Sequence, residues 1–494
     1  MIKYLLFLLW PAATAATAQT TAPSAAYTGD YPASMFGIRS DGQTLNTRSI
    51  QYAVDYIHDH GGGRLVFEVG RYLTGSIHLR SSVGLELHEG AVLLGSLNPF
   101  DYDKDGFTAL LLADSQQNIS LSGKGIIEGQ GRAVAANIVG LVHAGIITDP
   151  LSHDRPNEAN RPMLIYFRHC HSLSIKGITL ANAASWVQTY DQCDNLTIDS
   201  IRVDSKAYWN NDGMDIVDCS QVRITGCYVD AADDGICLKS HDPAASCTDV
   251  LIRDCTIRSS ANAIKFGTVS RGGFRHIRIL HNSVYNTYRS ALALEAVDGA
   301  AVQDVVADSL TAVNTGNALF IRIGARSGSR QSTITDVSIR HFSIGIAAGK
   351  PDAGYPYEGP VEDQPRNISP IVLTGLPGAL LQNIRLEDLV VRYPGGGDPF
   401  FAHRDPAGPD SIPELPTNYP DYSMFRELPA WGLYLRHARG IQVRNLNLSC
   451  AAKDYRPAIV LDDVGDATWE STIVKEPGNK KAFVLRRSSG VVMK

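Results

Sequence analysis

The chain has 494 residues, 44% of them hydrophobic and 19% charged, with a formal net charge of -6. So mild an acidic excess, with no basic run, gives no footing for nucleic-acid binding. No Pro/Gly/Ser linker or charge block divides the chain, and this length in one domain suits a repeat fold, in which each unit packs only on its neighbours.

Taken in chain order, the first segment is predicted to be a secretory signal over residues 1–18. Lys3 supplies the positive start, Tyr4 to Trp10 the short apolar core, and Ala16-Thr17-Ala18 the cleavage site, leaving Gln19 first in the mature protein. The apolar run is too short to span about 30 Å of hydrocarbon. The expectation is a secreted or periplasmic protein with no membrane span and a single domain over 19–494.

The stretch "NTRSIQYAVDYIHDHGGG" places Ile50, Ala53, Val54 and Ile57 at helical spacing. Asn46 or Thr47 can cap this helix, and Gly61 to Gly63 end it. An amphipathic helix ahead of a repeat suits a lid over an open solenoid core.

After residue 110 short alternating segments recur, among them "HSLSIKGITLANA", "DNLTIDSIRVDS", "SQVRITGCYVDA", "TDVLIRDCTIRSS" and "RHIRILHNSVYNT". Aligned on Leu173, Leu196, Val222, Val250 and Ile277, they step by 23, 26, 28 and 27 residues. This period signals a solenoid, and too little chain lies between strands for crossover helices. The predicted fold is all-β, a right-handed parallel β-helix with an N-terminal capping helix and long C-terminal loop insertions. Cys170, Cys193, Cys219 and Cys247 fall in one stacked column, Cys227 and Cys255 in another; coils about 4.8 Å apart permit disulfides, but buried free thiols are the favoured reading. Two insertions, roughly 349–377 and 393–432, carry Tyr355, Tyr357, Tyr419, Tyr422, Phe425 and Trp431, which suits either sugar contact or ordinary loop packing.

Superposed at the mouth of one strand, the coils give an outward column of Asp215, Cys237, Lys265, Ala293 and Phe320, and a second of Val217, Lys239, Gly267, Glu295 and Arg322. Just before the strand come Asp212, Asp234, Asn262, Ser290 and Asn317, with Gly213 and Gly235 after the two acids. An unpaired carboxylate facing the core would be costly, so the chain is expected to bend at Asp-Gly and turn the acids outward. Asp212, Asp233 and Asp234 then converge. Close carboxylates push their pKa values apart, so that one serves as acid and another as base, the division of labour that glycoside hydrolysis needs. A divalent-cation site is the competing use of such a cluster; none is expected here, nor any other cofactor.

These residues carry a resemblance. "NRPMLIYFRHCHSLSIKGITLANAASWVQTYDQCDNLTIDSIRV", "NNDGMDI" and "ADDGICLKS", with "GIRSDGQTLNT" and "GRYLTGSIHLRSSVGLELHEGAVLLGS" upstream, resemble glycoside hydrolase family 28, the polygalacturonases and related pectin hydrolases, over most of residues 36–345. The resemblance implies a parallel β-helix, an inverting hydrolase and a polysaccharide substrate. Asn210, Asn211 and Asp212 match the family's Asn-Thr-Asp, and Asp233-Asp234 its Asp-Asp. By the resemblance Asp234 is the general acid, and Asp212 and Asp233 activate water. The family's Gly-His-Gly is replaced by Ala261-Asn262-Ala263, and its Arg-Ile-Lys by Ala293-Leu294-Glu295. Substrate contact is therefore expected from Asn210, Asn262, Lys265, Glu295 and Arg322. Either Lys265 with Arg322 supplies the missing positive charge, or Lys265 pairs with Glu295 and the sugar is neutral. The long C-terminal loops suggest exo action. A β-helix lyase or epimerase, and a non-catalytic glycan-binding solenoid, are the alternatives.

Overall fold

The computed structural model describes residues 29–149, 155–327, 330–349, 351, 366–403, 412–478 and 482–494. The predicted signal segment and the insertion tyrosines Tyr355 and Tyr357 lie outside the described residues.

Short parallel strands stack coil upon coil, as the period requires. Leu173 pairs with Leu196, Leu196 with Val222, Val222 with Val250, and Val250 with Ile277, so the register read from the sequence holds. The residue before each of these apolar positions is left-handed: Ser172, Asn195, Gln221, Asp249 and His276 have φ between 51° and 57°. Asn, Asp and His tolerate that conformation better than most side chains, which is why polar residues punctuate the repeat. The inward residues form one continuous core from Ile50 near the start to Trp469 near the end. All eight cysteines are free and buried, the Cys170 amide donating to Cys193 Sγ and the Cys193 amide to Cys219 Sγ, each at 3.4 Å.

The helix α1 (Thr47–Asp59) buries Ile50, Ala53, Val54 and Ile57, as its periodicity predicts. Asn46 precedes it, but its side chain caps nothing; Nδ2 instead donates to the Arg39 and Thr44 carbonyls, each at 2.9 Å. A second helix, α2 (Gly131–His143), has no counterpart among the predicted elements. Two glycines weaken its intrinsic signal. Gly131 is there because a Cβ would lie 2.0 Å from the Ala183 carbonyl oxygen.

Three strands position the site: β1 (Met214–Val217), β2 (Ile236–Ser240) and β3 (Ile264–Ser270). They continue into the C-terminal ends of two coil-long strands, β4 (Gly273–Ala296) and β5 (Ala301–Ile323). Asp215, Cys237, Lys265, Ala293 and Phe320 align across them as predicted. The second outward column breaks at Gly267, because β2 and β3 shift register between Leu238 and Ser240. The first insertion is also shorter than expected, since Ile371–Thr374 is a strand paired with β5.

Candidate active site

Asp212 and Asp234 do not emerge on an open surface. They are 5% and 4% exposed, and only Asp233 is partly open to solvent. Gly213 and Gly235 are not left-handed turns either. A Cβ on Gly213 would lie 2.6 Å from the Gly235 carbonyl oxygen, and one on Gly235 2.6 Å from that of Ala263. Glycine is needed there because successive coils approach closely at the corner. The left-handed residue is Asn210, φ 57°.

What makes burial of these acids tolerable is a set of buried cations. Lys239 Nζ lies 3.0 Å from Asp212 Oδ2 and also contacts Asp215, itself completely buried. Lys265 Nζ lies 2.9 Å from Asp234 Oδ2. Asp234 Oδ1 accepts from the backbone amide of Asn262 at 2.9 Å and from its Nδ2 at 2.8 Å. Arg289, 3% exposed, pairs with Asp421 at 2.9 Å. Among the described residues no cation comes within ion-pair distance of Asp233; its Oδ1 accepts only the Asp234 amide, at 3.0 Å.

These surroundings split the adjacent acids. Burial pushes the Asp233 carboxyl up, the charges of Asp212 and Asp234 push it further, and it titrates at about 7. Burial would raise Asp234 too, but Lys265, Arg289 and the Asn262 amide outweigh it and hold that group at about 2. Burial and the Asp234 charge raise Asp212 above its ordinary value against the pull of Lys239. Burial also drives Asp215 well up. Oxygens of Asp212 and Asp234 lie within 4.8 Å of each other and of Cys237 Sγ. Lys239 and Lys265 already supply positive charge to that cluster.

Burial and the neighbouring acids thus raise Asp233 while the cations hold Asp234 low, whereas the resemblance implies Asp234 as the acid. Asn262 is 3% exposed and belongs to a ladder: its Oδ1 accepts the Ser290 amide at 3.1 Å, and Ser290 Oγ donates to Asn317 Oδ1 at 3.2 Å. It fixes Asp234 rather than reaching for substrate. Arg322 is also withdrawn from any substrate. Its Nη1 donates to Thr374 Oγ1 at 3.3 Å and the Gly375 carbonyl at 3.2 Å, its Nη2 to the carbonyls of Glu414 and Leu415. Lys265 and Glu295, 2% and 1% exposed, point away from the core but lie covered, their charged atoms 3.8 Å apart. Burial carries Glu295 up to about 8 despite Lys265. Asn210 stays at the cleft edge, its Oδ1 accepting from Arg155 at 2.9 Å and Arg161 at 2.8 Å.

Sequence reasoning missed Arg289, Asp421 and the pairing role of Lys239. Lys239 could have been found, since Asp215 and Lys239 stand on outward faces of adjacent coils. The Arg289–Asp421 pair joins a coil to the second insertion, and no local pattern announces it.

That insertion covers one end of the site. Tyr422, Phe425, Leu428 and Ala430 pack on the outward Ala293, Phe320, Val372 and Tyr434. Its entry is clamped by Arg322, by Arg436 Nη1 on the Ile412 carbonyl at 2.6 Å, and by His437 Nε2 on Glu414 Oε1 at 3.0 Å. Its exposed Tyr419 holds its hydroxyl 3.2 Å from Lys265 Nζ. On the N-terminal side Phe107 and Trp186 pack on Leu112, Met163 and Tyr166, and Lys239 Nζ sits 4.2 Å from the Trp186 ring centre. The polar strip thus lies between two apolar covers. A separate cavity of about 390 Å³, lined by Phe401, Leu415, Phe425, Tyr455 and Arg456, includes none of the site carboxylates.

Residues 67–254 match the family description "Glycosyl hydrolases family 28". The chain is 26% identical over 329 residues to a "Probable polygalacturonase" of Vitis vinifera, covering 63% of this chain and 59% of that protein. It is 25% identical over 250 residues to the exo-poly-alpha-D-galacturonosidase of Dickeya chrysanthemi, covering 41% and 40%. The chain thus spans about half the length of these curated relatives. The fold matches that of a hyperthermoactive exopolygalacturonase from Thermotoga maritima with a TM-score of 0.60 at 20% identity, covering 74% of this chain and 87% of that one. The region that matches family 28 contains the three aspartates, and the parallel β-helix around them is the fold shared with the Thermotoga enzyme.

Proposed function

We propose that the protein is an inverting glycoside hydrolase acting on pectic polysaccharide. The observation that carries this reading is the convergence of Asp212, Asp233 and Asp234 within the region that matches family 28, with Asp233 pushed up and Asp234 held low by their neighbours. In mildly acidic solution Asp233 holds a proton and donates it to the glycosidic oxygen as the bond to the anomeric carbon breaks. Asp212 and Asp234, whose oxygens face one another, take a proton from the water that attacks the opposite side. Lys265 and Asn262 are positioning residues that keep Asp234 ionised and in place, and Lys239 holds Asp212. Inversion is the outcome that the family resemblance implies.

The covers at both ends of the strip favour exo action, since a through-running chain meets Phe425 and Tyr422 on one side and Trp186 on the other. Export after cleavage behind Ala18 is part of the same reading; N-terminal sequencing of the mature protein tests it. The decisive assay for the chemistry follows product size and anomeric configuration by NMR on a panel of pectic oligosaccharides. Release of one end unit with inverted configuration is expected; retention, or unsaturated products, would refute the proposal.

A further inference from the structure

We infer that the sugar bound beside Lys265 is a neutral glycosyl residue, with a hydroxymethyl, methyl or esterified carboxyl at C6, and that Glu295 and Tyr419 set this preference. The inference rests on the hydrolase reading for its catalytic consequence but concerns recognition.

Charge bookkeeping inside the site carries it. Each buried cation at the site already faces carboxylates or carbonyls of the protein: Lys239 faces Asp212 and Asp215, Lys265 faces Asp234 and Glu295, Arg289 faces Asp421, Arg322 faces the carbonyls of Gly375 and Glu414, and Arg161 faces those of Ala184 and Trp209. Lys265 Nζ has three donors, and Asp234 Oδ2 and the Tyr419 hydroxyl accept two of them. A free uronate could take only the remaining donor of Lys265, where it would sit beside the carboxylates of Asp234 and Asp421. Like-charge juxtaposition of that kind is strongly unfavourable once water is excluded. The neighbouring positions on the same face, Ala293 and Phe320, are apolar and completely buried under the insertion, and offer no cation in place of Lys265.

The site does hold features that suit an uncharged ring. Tyr419 is 53% exposed while its hydroxyl is anchored on Lys265. An anchored ring with an open face is a platform for the apolar face of a sugar. Burial of Glu295 keeps that carboxyl protonated through the mildly acidic range, so it offers a uronate no positive charge.

The test separates recognition from turnover. Binding of trigalacturonate and of its methyl-esterified form to the Asp233→Asn protein is measured by calorimetry, and cleavage of both by the wild-type protein is followed in parallel. The neutral ligand should bind roughly tenfold or more tighter. Glu295→Lys should narrow or reverse that ratio, and Tyr419→Ala should weaken the neutral ligand more than the charged one. Equal or tighter binding of the free acid by the Asp233→Asn protein overturns the inference, whatever the turnover. If the neutral form binds tighter but the wild type cleaves neither ligand nor any other pectic oligosaccharide, the recognition stands and the hydrolase reading falls.

Discussion

Replacing Lys265 by Met removes the cation nearest Asp234 while keeping much of the side chain's length. The pair is 2.9 Å apart and almost fully buried. At an effective dielectric constant near 20, unit charges at that distance attract by about 6 kcal/mol, equivalent to roughly 4 pH units on the acid. Arg289, Lys239 and the Asn262 amide remain, so a rise of about 3 units is expected, from about 2 to the ordinary working range of a hydrolase. Asp234 would then govern the acid limb of kcat/KM, which should move up by about 1–2 pH units. Stability gives a second readout. A depressed carboxyl adds stability above its unfolded value of 3.8, and that stability is lost as pH falls through about 2. The shift of nearly two units is worth about 2 kcal/mol, and the variant should lose that dependence. The assay is a pH series of kcat/KM on a pectic oligosaccharide, with urea melts over the same series. An unmoved acid limb, with stability still falling below pH 4 as in the wild type, would sink the argument that Lys265 holds Asp234 ionised.

Asp233→Asn should lower kcat by about 10²–10⁴, and by much less on an aryl glycoside whose leaving group needs no proton; an equal loss on both substrates excludes Asp233 as the acid. In the wild type, kcat/KM should fall as pH rises through about 7, because the Asp233 proton is lost there; the limb should vanish on the aryl glycoside. Glu295→Gln should change stability little at pH 4, below the unfolded carboxyl value of 4.5. A raised carboxyl stabilises below its unfolded value and loses that contribution as pH passes the folded one, here about 8, so the Gln variant should melt higher than wild type at pH 9. Arg322→Ala strips donors from the Glu414 and Leu415 carbonyls that anchor the insertion and should cost about 2–4 kcal/mol; hydrogen exchange should rise selectively over residues 412–431.

Much of the fold was legible because the repeat writes its register into the chain. Leu173, Leu196, Val222, Val250 and Ile277 face one core, and a polar left-handed residue precedes each, so local pattern and long-range pairing agree. The helix α2 was hidden because Gly131 answers to the Ala183 carbonyl, a contact made by a later coil. The three aspartates were legible for the same reason as the register, since Asp212 and Asp234 stand one coil apart. Their protonation was not. The difference between Asp233 and Asp234 comes from Lys265, Arg289 and Asn262, which act most strongly on Asp234, while at Asp233 burial and the neighbouring acids outweigh the same two cations.

The sequence by itself determined the solenoid, its capping helix and the meeting of the acids, because each is a matter of period and composition. Only the tertiary structure decided which acid the cations lie against, that Arg322 serves the insertion, and that Tyr419 and Asp421 enter the site from a loop far along the chain. Charge in a buried site depends on distances of about 3 Å between side chains on different coils and loops, and one-dimensional spacing carries no record of those distances.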